Sequence, residues 1–165
     1  RCRLTRVARL LRIARTVFVP NFTAAFSGEG AFRGGSRWNT PGNRMSFAST
    51  SQSLAQLEYL AHVDWSTTLH DDLTLIEGSL DDRFIDAVPS ANLPPDWRQN
   101  PPSSSSAALG DAWISSGKSA GLFVPSALAP EERNVLLNPV HADFKHVRVT
   151  SMNTFSFDGR LSRKT

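Results

Sequence analysis

Residues 44–61 read RMSFASTSQSLAQLEYLA, a strand pattern followed directly by a helix pattern. Residues 44–48 predict a short strand. The tetrad Ser53-Leu54-Ala55-Gln56 has the form of a capping box and predicts a helix that begins at Ser53. The predicted apolar stripe of this helix consists of Leu54, Leu57, Leu60 and Ala61. This order of elements favours a mixed α/β fold.

The flanking sequence extends the same alternation in both directions. Further strands are predicted over residues 12–19, 73–77, 122–124, 135–137, 147–149 and 155–157, and a second helix is predicted over residues 107–115. The glycine-rich residues 27–43 and the proline-rich residues 89–106 predict loops, the second one on the surface. A chain of 165 residues with 40% hydrophobic side chains suits a single domain.

Charge is distributed unevenly along the chain. Six arginines and no acid lie in the first 15 residues, whereas the other 150 residues carry 12 basic and 15 acidic side chains. The arginines recur every three residues between apolar ones, a spacing that allows a short basic amphipathic helix. We expect a basic extension over residues 1–9 and a domain over residues 10–165. The acidic balance of residues 16–165 argues against direct binding of nucleic acid. A nucleic-acid or partner-binding module that uses the basic N-terminus remains the alternative.

Several classes of protein are excluded or disfavoured by composition. No run of about 18 apolar residues exists, so no transmembrane helix is predicted. Cys2 is the single cysteine, which excludes an internal disulfide and a cysteine-rich zinc site and fits a cytoplasmic protein. The four histidines lack the spacing of a metal motif, so no metal site is predicted.

Three polar side chains are candidates for chemistry. Glu58 lies at the edge of the predicted apolar stripe, where a carboxylate needs a partner unless it reaches solvent. Arg37 lies in a glycine-rich loop, where it can form a fork onto a phosphate or can be a surface residue of a structural turn. Ser126 ends an apolar strand, where it can donate to a ligand or close a turn. The loop matches neither a Walker nor a Rossmann motif.

Eight short motifs, taken in order, resemble the RES-domain family over nearly the whole chain. They are RIAR at 12–15, FSGEGA at 26–31, GGSRWN at 34–39 with PG at 41–42, SLAQLE at 53–58, LGDAW at 109–113, VPS at 124–126, NPVH at 138–141 and FDGRL at 157–161. The family is named for an arginine, a glutamate and a serine, which correspond here to Arg37, Glu58 and Ser126. Two departures from the family pattern are an extra Ser36 and Phe47 in place of tyrosine. They leave a protein with this fold but a degenerate site as an alternative.

The resemblance implies a fold like that of the ADP-ribosyltransferase toxins, with a central mixed β-sheet. It also implies a toxin of a RES–Xre toxin–antitoxin pair that cleaves the nicotinamide–ribose bond of NAD, by phosphorolysis, hydrolysis or ADP-ribosyl transfer to a protein. NAD is then a substrate, inorganic phosphate is a possible second substrate, and no resident cofactor is expected. The implied partners are a cognate Xre-type antitoxin and a second copy of the chain within a larger complex.

The residues fit this implied chemistry as follows. Glu58 can stabilise the oxocarbenium-like ribosyl centre, and Arg37 can bind the pyrophosphate. Ser126 can bond the nicotinamide amide or an incoming phosphate. The other residues predicted to bind NAD are Arg12, which assists from the first strand, Trp38 and Phe47, which can stack on the nicotinamide ring, and Asn39 and Asn138.

Overall fold

The computed structural model describes residues 6–63 and 71–161. Its seven-stranded sheet has the order β4-β5-β6-β2-β1-β3-β7. The strands are β1 (Val7–Arg15), β2 (Ser46–Ser49), β3 (Leu73–Asp81), β4 (Ile85–Ala87), β5 (Gly121–Pro125), β6 (Arg133–Leu137) and β7 (Arg148–Phe155). All neighbouring pairs are antiparallel except β4 with β5, so the sheet is mixed. The predicted fold, a single mixed α/β domain, is confirmed.

Within the described residues, three α-helices accompany the sheet: α1 (Glu29–Gly34), α2 (Gln52–Ala61) and α3 (Ser104–Ser116). The N-cap of α2 is Ser51, whose hydroxyl accepts the Leu54 N–H at 3.1 Å, so the predicted start at Ser53 is wrong. The predicted stripe is also wrong, because Leu54 and Ala55 are buried whereas Leu57 is 43% exposed. The buried face of α2 therefore turns Glu58 inward.

The sheet has two differently covered faces. Leu11 and Ile13 of β1 share a core cluster with Ala55 of α2, and this side is called the helix face. The side chains that alternate with them, Leu10 and Ala14, belong to a cluster on the opposite side, called the reverse face. Trp113 of α3 packs with β5 and β6 residues that share the helix face, so α2 and α3 cover different parts of one face. Between the two helices, the helix face of β2 and β6 carries Phe47, Ser49 and Asn134, and this part of the face is here called the crevice.

Three of the N-terminal arginines, Arg9, Arg12 and Arg15, belong to a strand rather than to an amphipathic helix. β1 begins at Val7, within the predicted extension, and ends at Arg15, so the predicted strand over 12–19 is shifted; residues 1–5 lie outside the described part. Successive strand residues point to opposite faces. Arg9 pairs with Glu77 at 3.4 Å on one side, while Arg12 lies on the other. A spacing of three therefore divides these arginines between two faces instead of forming one basic surface.

Other differences follow from short or irregular elements. The predicted loop 27–43 contains α1, and the predicted strands 147–149 and 155–157 are replaced by the continuous strand β7, which ends at Phe155. The strand β4 was not predicted, because its three residues are half-buried or exposed and carry no apolar pattern. The predicted strands over 44–48, 73–77, 122–124 and 135–137 and the helix over 107–115 are present within a few residues.

Candidate active site

Glu58 is the centre of a hydrogen-bonded cluster on the helix face. Its Oε1 accepts from Ser126 Oγ at 2.8 Å and from Asn134 Nδ2 at 2.5 Å. Within the described residues, no hydrogen bond is made to Oε2. One carboxylate oxygen is thus held by two donors while the other is left for a ligand, which is the arrangement of an oriented acid rather than of a solvated helix residue.

Ser126 has no free hydrogen-bonding capacity. It lies just after β5 and is 0% exposed. A hydroxyl offers one proton and two lone pairs. The Ser126 proton is donated to Glu58, and its oxygen accepts the N–H groups of Leu128 at 3.1 Å and Ala129 at 3.2 Å. In this arrangement Ser126 orients Glu58 and has no proton left for nicotinamide or phosphate, contrary to the role expected from the sequence.

Asn134 is a site residue that the sequence analysis missed. It lies on β6 opposite Ser49 of β2, and its Oδ1 accepts from Ser49 Oγ at 2.8 Å while its Nδ2 donates to Glu58. The bond to Ser49 fixes which end of the amide faces the carboxylate. The available signal was a polar residue at the start of a strand whose next three residues, Val135–Leu137, are all buried.

Arg37 lies in a tight turn formed by Ser36–Asn39, here called the Arg37 turn. The turn closes through the Ser36 N–H, which donates to the Asn39 carbonyl at 2.9 Å. The Ser36 hydroxyl donates to Asn39 Oδ1 at 2.5 Å and accepts the Trp38 N–H at 3.1 Å. The extra serine, which departs from the family pattern, is therefore part of the turn that carries Arg37.

The Arg37 guanidinium is anchored on one side only. Its Nη1 donates to the carbonyls of Trp97 at 2.7 Å and Gln99 at 2.9 Å, which uses both Nη1 protons. The Nε and Nη2 edge makes no hydrogen bond within the described part of the chain. Burial lowers the pKa of Arg37, and the attraction of Glu58 opposes this shift. Arg37 stays charged, and its field acts on the same crevice as Glu58.

The proline-rich segment, residues 89–106, forms one side of this site. The sequence predicted a surface loop over residues 89–106, yet Trp97 stacks on Trp38 with ring centroids 6.3 Å apart, and the carbonyls of Trp97 and Gln99 hold Arg37. The segment therefore packs on the Arg37 turn. This role could not be read from composition, because it depends on backbone carbonyls.

Two residues predicted to bind NAD build the Arg37 turn instead. Trp38 is 4% exposed and packs into the core cluster beneath α3, so its ring is not open to a ligand. Asn39 is 1% exposed, and its Nδ2 donates to the carbonyls of Ala31, Thr40 and Asn43 at 2.9–3.1 Å. Their predicted contacts with a dinucleotide do not fit this geometry.

The other residues predicted to bind NAD lie in three different places: Arg12 on the reverse face, Asn138 at the end of β6, and Phe47 on the helix face. Arg12 points to the reverse face and donates to the Ala25 carbonyl at 2.8 Å; burial lowers its pKa, and the sheet separates it from Glu58. Asn138 is buried at the end of β6, where its Oδ1 accepts the Val140 N–H at 3.2 Å in a local turn. Phe47 is half-buried on the helix face of β2, two residues from Ser49, and so lines the crevice.

Neither a membrane-spanning helix nor a metal-binding cluster is found within residues 6–63 and 71–161. No helix there is long and apolar enough to cross a membrane. The same residues contain no group of three or more His, Cys, Asp or Glu side chains arranged to hold a metal ion. The side chains that the structure brings to the crevice are the Glu58 carboxylate, the Arg37 guanidinium and the Phe47 ring.

The fold defines a class of protein, the single-domain mixed α/β proteins built on one seven-stranded sheet. A chain in the crystal structure of the M. tuberculosis MbcT–MbcA toxin–antitoxin complex superposes with a TM-score of 0.69 over 92% of this chain and 86% of that one, at 18% sequence identity. A match at this identity establishes the fold. The model of the RES domain matches residues 9–158, and the chain therefore belongs to the RES domain family.

Curated relatives cover almost the whole chain. Toxin Res of Photorhabdus laumondii is 37% identical over 153 residues, which are 92% of this chain and 96% of that protein. The Prs ADP-ribosylating toxin of Sphingobium sp. is 36% identical over 141 residues, which are 84% and 87% of the two chains. Toxin Res of Yersinia enterocolitica is 35% identical over 153 residues, with coverage of 92% and 99%.

Proposed function

We propose that this protein is the toxin of a toxin–antitoxin pair and that it cleaves the nicotinamide–ribose bond of NAD. The observation that carries the proposal is the Glu58 carboxylate, whose Oε1 is held by Ser126 and Asn134, whose Oε2 has no hydrogen bond within the described residues, and which attracts Arg37 electrostatically. The names of the relatives support it, since several are toxins and one is an ADP-ribosylating toxin.

Glu58 supplies the electrostatic part of the reaction. Departure of nicotinamide leaves an oxocarbenium-like ribosyl centre, and a fixed carboxylate stabilises that charge or holds a ribose hydroxyl. Because two donors fix Oε1, Oε2 needs no reorientation as the positive charge develops. Nicotinamide leaves as a neutral molecule, so the reaction requires no strong general acid.

Arg37 and Phe47 bind the two parts of the substrate on either side of the nicotinamide ribose, the pyrophosphate and the nicotinamide ring. The Nε and Nη2 edge of Arg37 forms a two-point contact with the anionic pyrophosphate, while Nη1 stays on the carbonyls of Trp97 and Gln99. Phe47 offers a ring face for stacking on nicotinamide beside Glu58. The loss of the tyrosine hydroxyl leaves this stacking surface intact.

The acceptor of the ADP-ribosyl group distinguishes three reactions. Phosphorolysis or hydrolysis degrades NAD, whereas transfer to a protein is the alternative that the name of the Sphingobium relative favours. Incubation with NAD, with and without inorganic phosphate, separates them by product: ADP-ribose-1″-phosphate, free ADP-ribose or labelled protein. Nicotinamide appears in all three, and failure to release it under any of these conditions would refute the proposal.

The proposed setting is the cytoplasm of the producing cell, where NAD is available. We propose a cognate Xre-type antitoxin as the partner that blocks the site, and a homodimer of the toxin within the larger complex. The match to a chain from a toxin–antitoxin complex is consistent with such a partner. Expression without the antitoxin should lower cellular NAD and arrest growth, and co-expression should restore both.

A further inference from the structure

Asp111 of α3 holds the residue that follows the Arg37 turn. The Thr40 N–H donates to Asp111 Oδ1 at 3.1 Å and to Oδ2 at 3.3 Å, and the Thr40 hydroxyl donates to Oδ2 at 2.7 Å. Hydrogen bonds to an ionised acceptor are stronger than neutral ones. The C-terminal end of the Arg37 turn is therefore fixed to α3 by a backbone and a side-chain donor at once.

The neighbouring Gly110 allows the turn to approach the helix this closely. A Cβ at position 110 would overlap the Trp38 carbonyl oxygen, and it would also meet the Met45 side chain at 3.2 Å. Any side chain at this position would push Trp38 away from α3. Gly110 and Asp111 lie on one turn of α3 and together form the surface against which the backbone of the Arg37 turn packs.

We propose that Asp111 is a positioning residue for Arg37. It holds the Arg37 turn against α3 and thereby orients the guanidinium toward the pyrophosphate of bound NAD. The inference rests on the proposed function. The carbonyls of Trp97 and Gln99 restrain the guanidinium itself, whereas Asp111 restrains the backbone from which the side chain extends. Both restraints are needed for a two-point contact, which depends on direction as well as distance.

The expected effect is on substrate affinity rather than on the chemical step. The pyrophosphate is remote from the bond that breaks, so Arg37 binds it about equally in the ground state and in the transition state. A loss of such binding raises KM with little change in kcat. Thr40 is exposed and Asp111 is half-exposed, so their separation leaves no buried polar group and the domain keeps its fold. A misplaced anchor of this kind lowers affinity roughly tenfold.

NAD affinity is measured by calorimetry in a Glu58→Gln parent, which binds NAD without turning it over. Asp111→Ala in this parent should weaken binding roughly tenfold. Asp111→Asn should restore the affinity, because its amide oxygen accepts the Thr40 N–H and its amide group can pair with the hydroxyl. Asp143→Ala, a change at a half-exposed aspartate in the 3-10 helix Ala142–His146 that follows β6, is the matched control and should bind like the parent.

A double-mutant cycle tests whether Asp111 acts through Arg37. In an Arg37→Ala, Glu58→Gln background, adding Asp111→Ala should cause no further loss of affinity. An equal further loss, or an Asp111→Ala protein that binds as tightly as the parent, overturns the positioning role alone. If the parent binds no NAD and the wild-type protein releases no nicotinamide, the proposed function fails and the positioning role fails with it.

Discussion

Replacing Ser126 with alanine separates two roles for this buried hydroxyl. The structure commits its proton to Glu58 and its lone pairs to the N–H groups of Leu128 and Ala129. If Ser126 orients Glu58, the change lowers kcat for nicotinamide release and leaves KM for NAD unchanged. If Ser126 instead contacts the substrate in the ground state, KM rises.

The size of the effect follows from the bonds that are lost. A hydrogen bond to a charged acceptor contributes about 1.5–3 kcal/mol, and about 1.4 kcal/mol corresponds to a tenfold change in rate, so full loss of orientation costs roughly 10- to 150-fold. Asn134 continues to hold Oε1, which places the expected loss in kcat near the lower limit, roughly tenfold. Loss of the three hydrogen bonds of this buried hydroxyl also lowers the free energy of unfolding by about 1–3 kcal/mol.

Ser119→Ala is the matched control for this experiment. Ser119 is also buried, and its hydroxyl accepts from Trp113 Nε1 at 3.0 Å and donates to the Gly121 carbonyl at 2.8 Å, away from Glu58. It should lose a similar amount of stability in thermal denaturation and keep the wild-type kcat. A rise in KM for Ser126→Ala at unchanged kcat, or an equal loss of kcat in Ser119→Ala, would refute the orienting role.

Three further changes test other parts of the site. Asn134→Leu removes the second donor to Glu58 and should lower kcat roughly tenfold without raising KM; a rise in KM alone would argue for substrate contact. Phe47→Ala should raise KM for NAD by roughly tenfold through lost stacking, whereas Phe47→Tyr should bind NAD at least as well as the wild-type protein. Equal KM values in the wild-type protein and both variants would show that the ring does not bind the substrate. Gly110→Ala should lower both the melting temperature and NAD affinity, because its Cβ displaces Trp38; an unchanged protein would show that the turn tolerates displacement.

Part of the site could be predicted from the sequence. The motifs that resemble the RES domain located Arg37, Glu58 and Ser126, and the structure brings Ser126 into contact with Glu58 and Arg37 into its electrostatic range. The pattern also left two alternatives for Glu58, a hydrogen-bond partner or contact with solvent, and the structure gives it two partners. Their identity depends on which strands meet beneath α2, information that no local pattern contains.

The errors have similar physical origins. Arg12 is predicted to assist from the first strand, but successive strand residues face opposite sides of the sheet, and Arg12 lies on the side opposite to Leu11 and Ile13, which pack under α2. Trp38 and Asn39 have the chemistry of ligand-binding residues, yet the same chemistry closes a tight turn and buries a ring. Residue type predicts what a side chain can bond, whereas the packed fold decides which partner it meets.

The most direct test compares nicotinamide release by the wild-type protein and by Glu58→Gln. Glutamine keeps the length of the side chain and an oxygen that can accept from Ser126 and Asn134, so the crevice retains its shape while the negative charge is lost. We expect the glutamine variant to release nicotinamide roughly 100- to 1000-fold more slowly than the wild-type protein while still binding NAD. Release of nicotinamide at the wild-type rate by the glutamine variant would contradict this expectation.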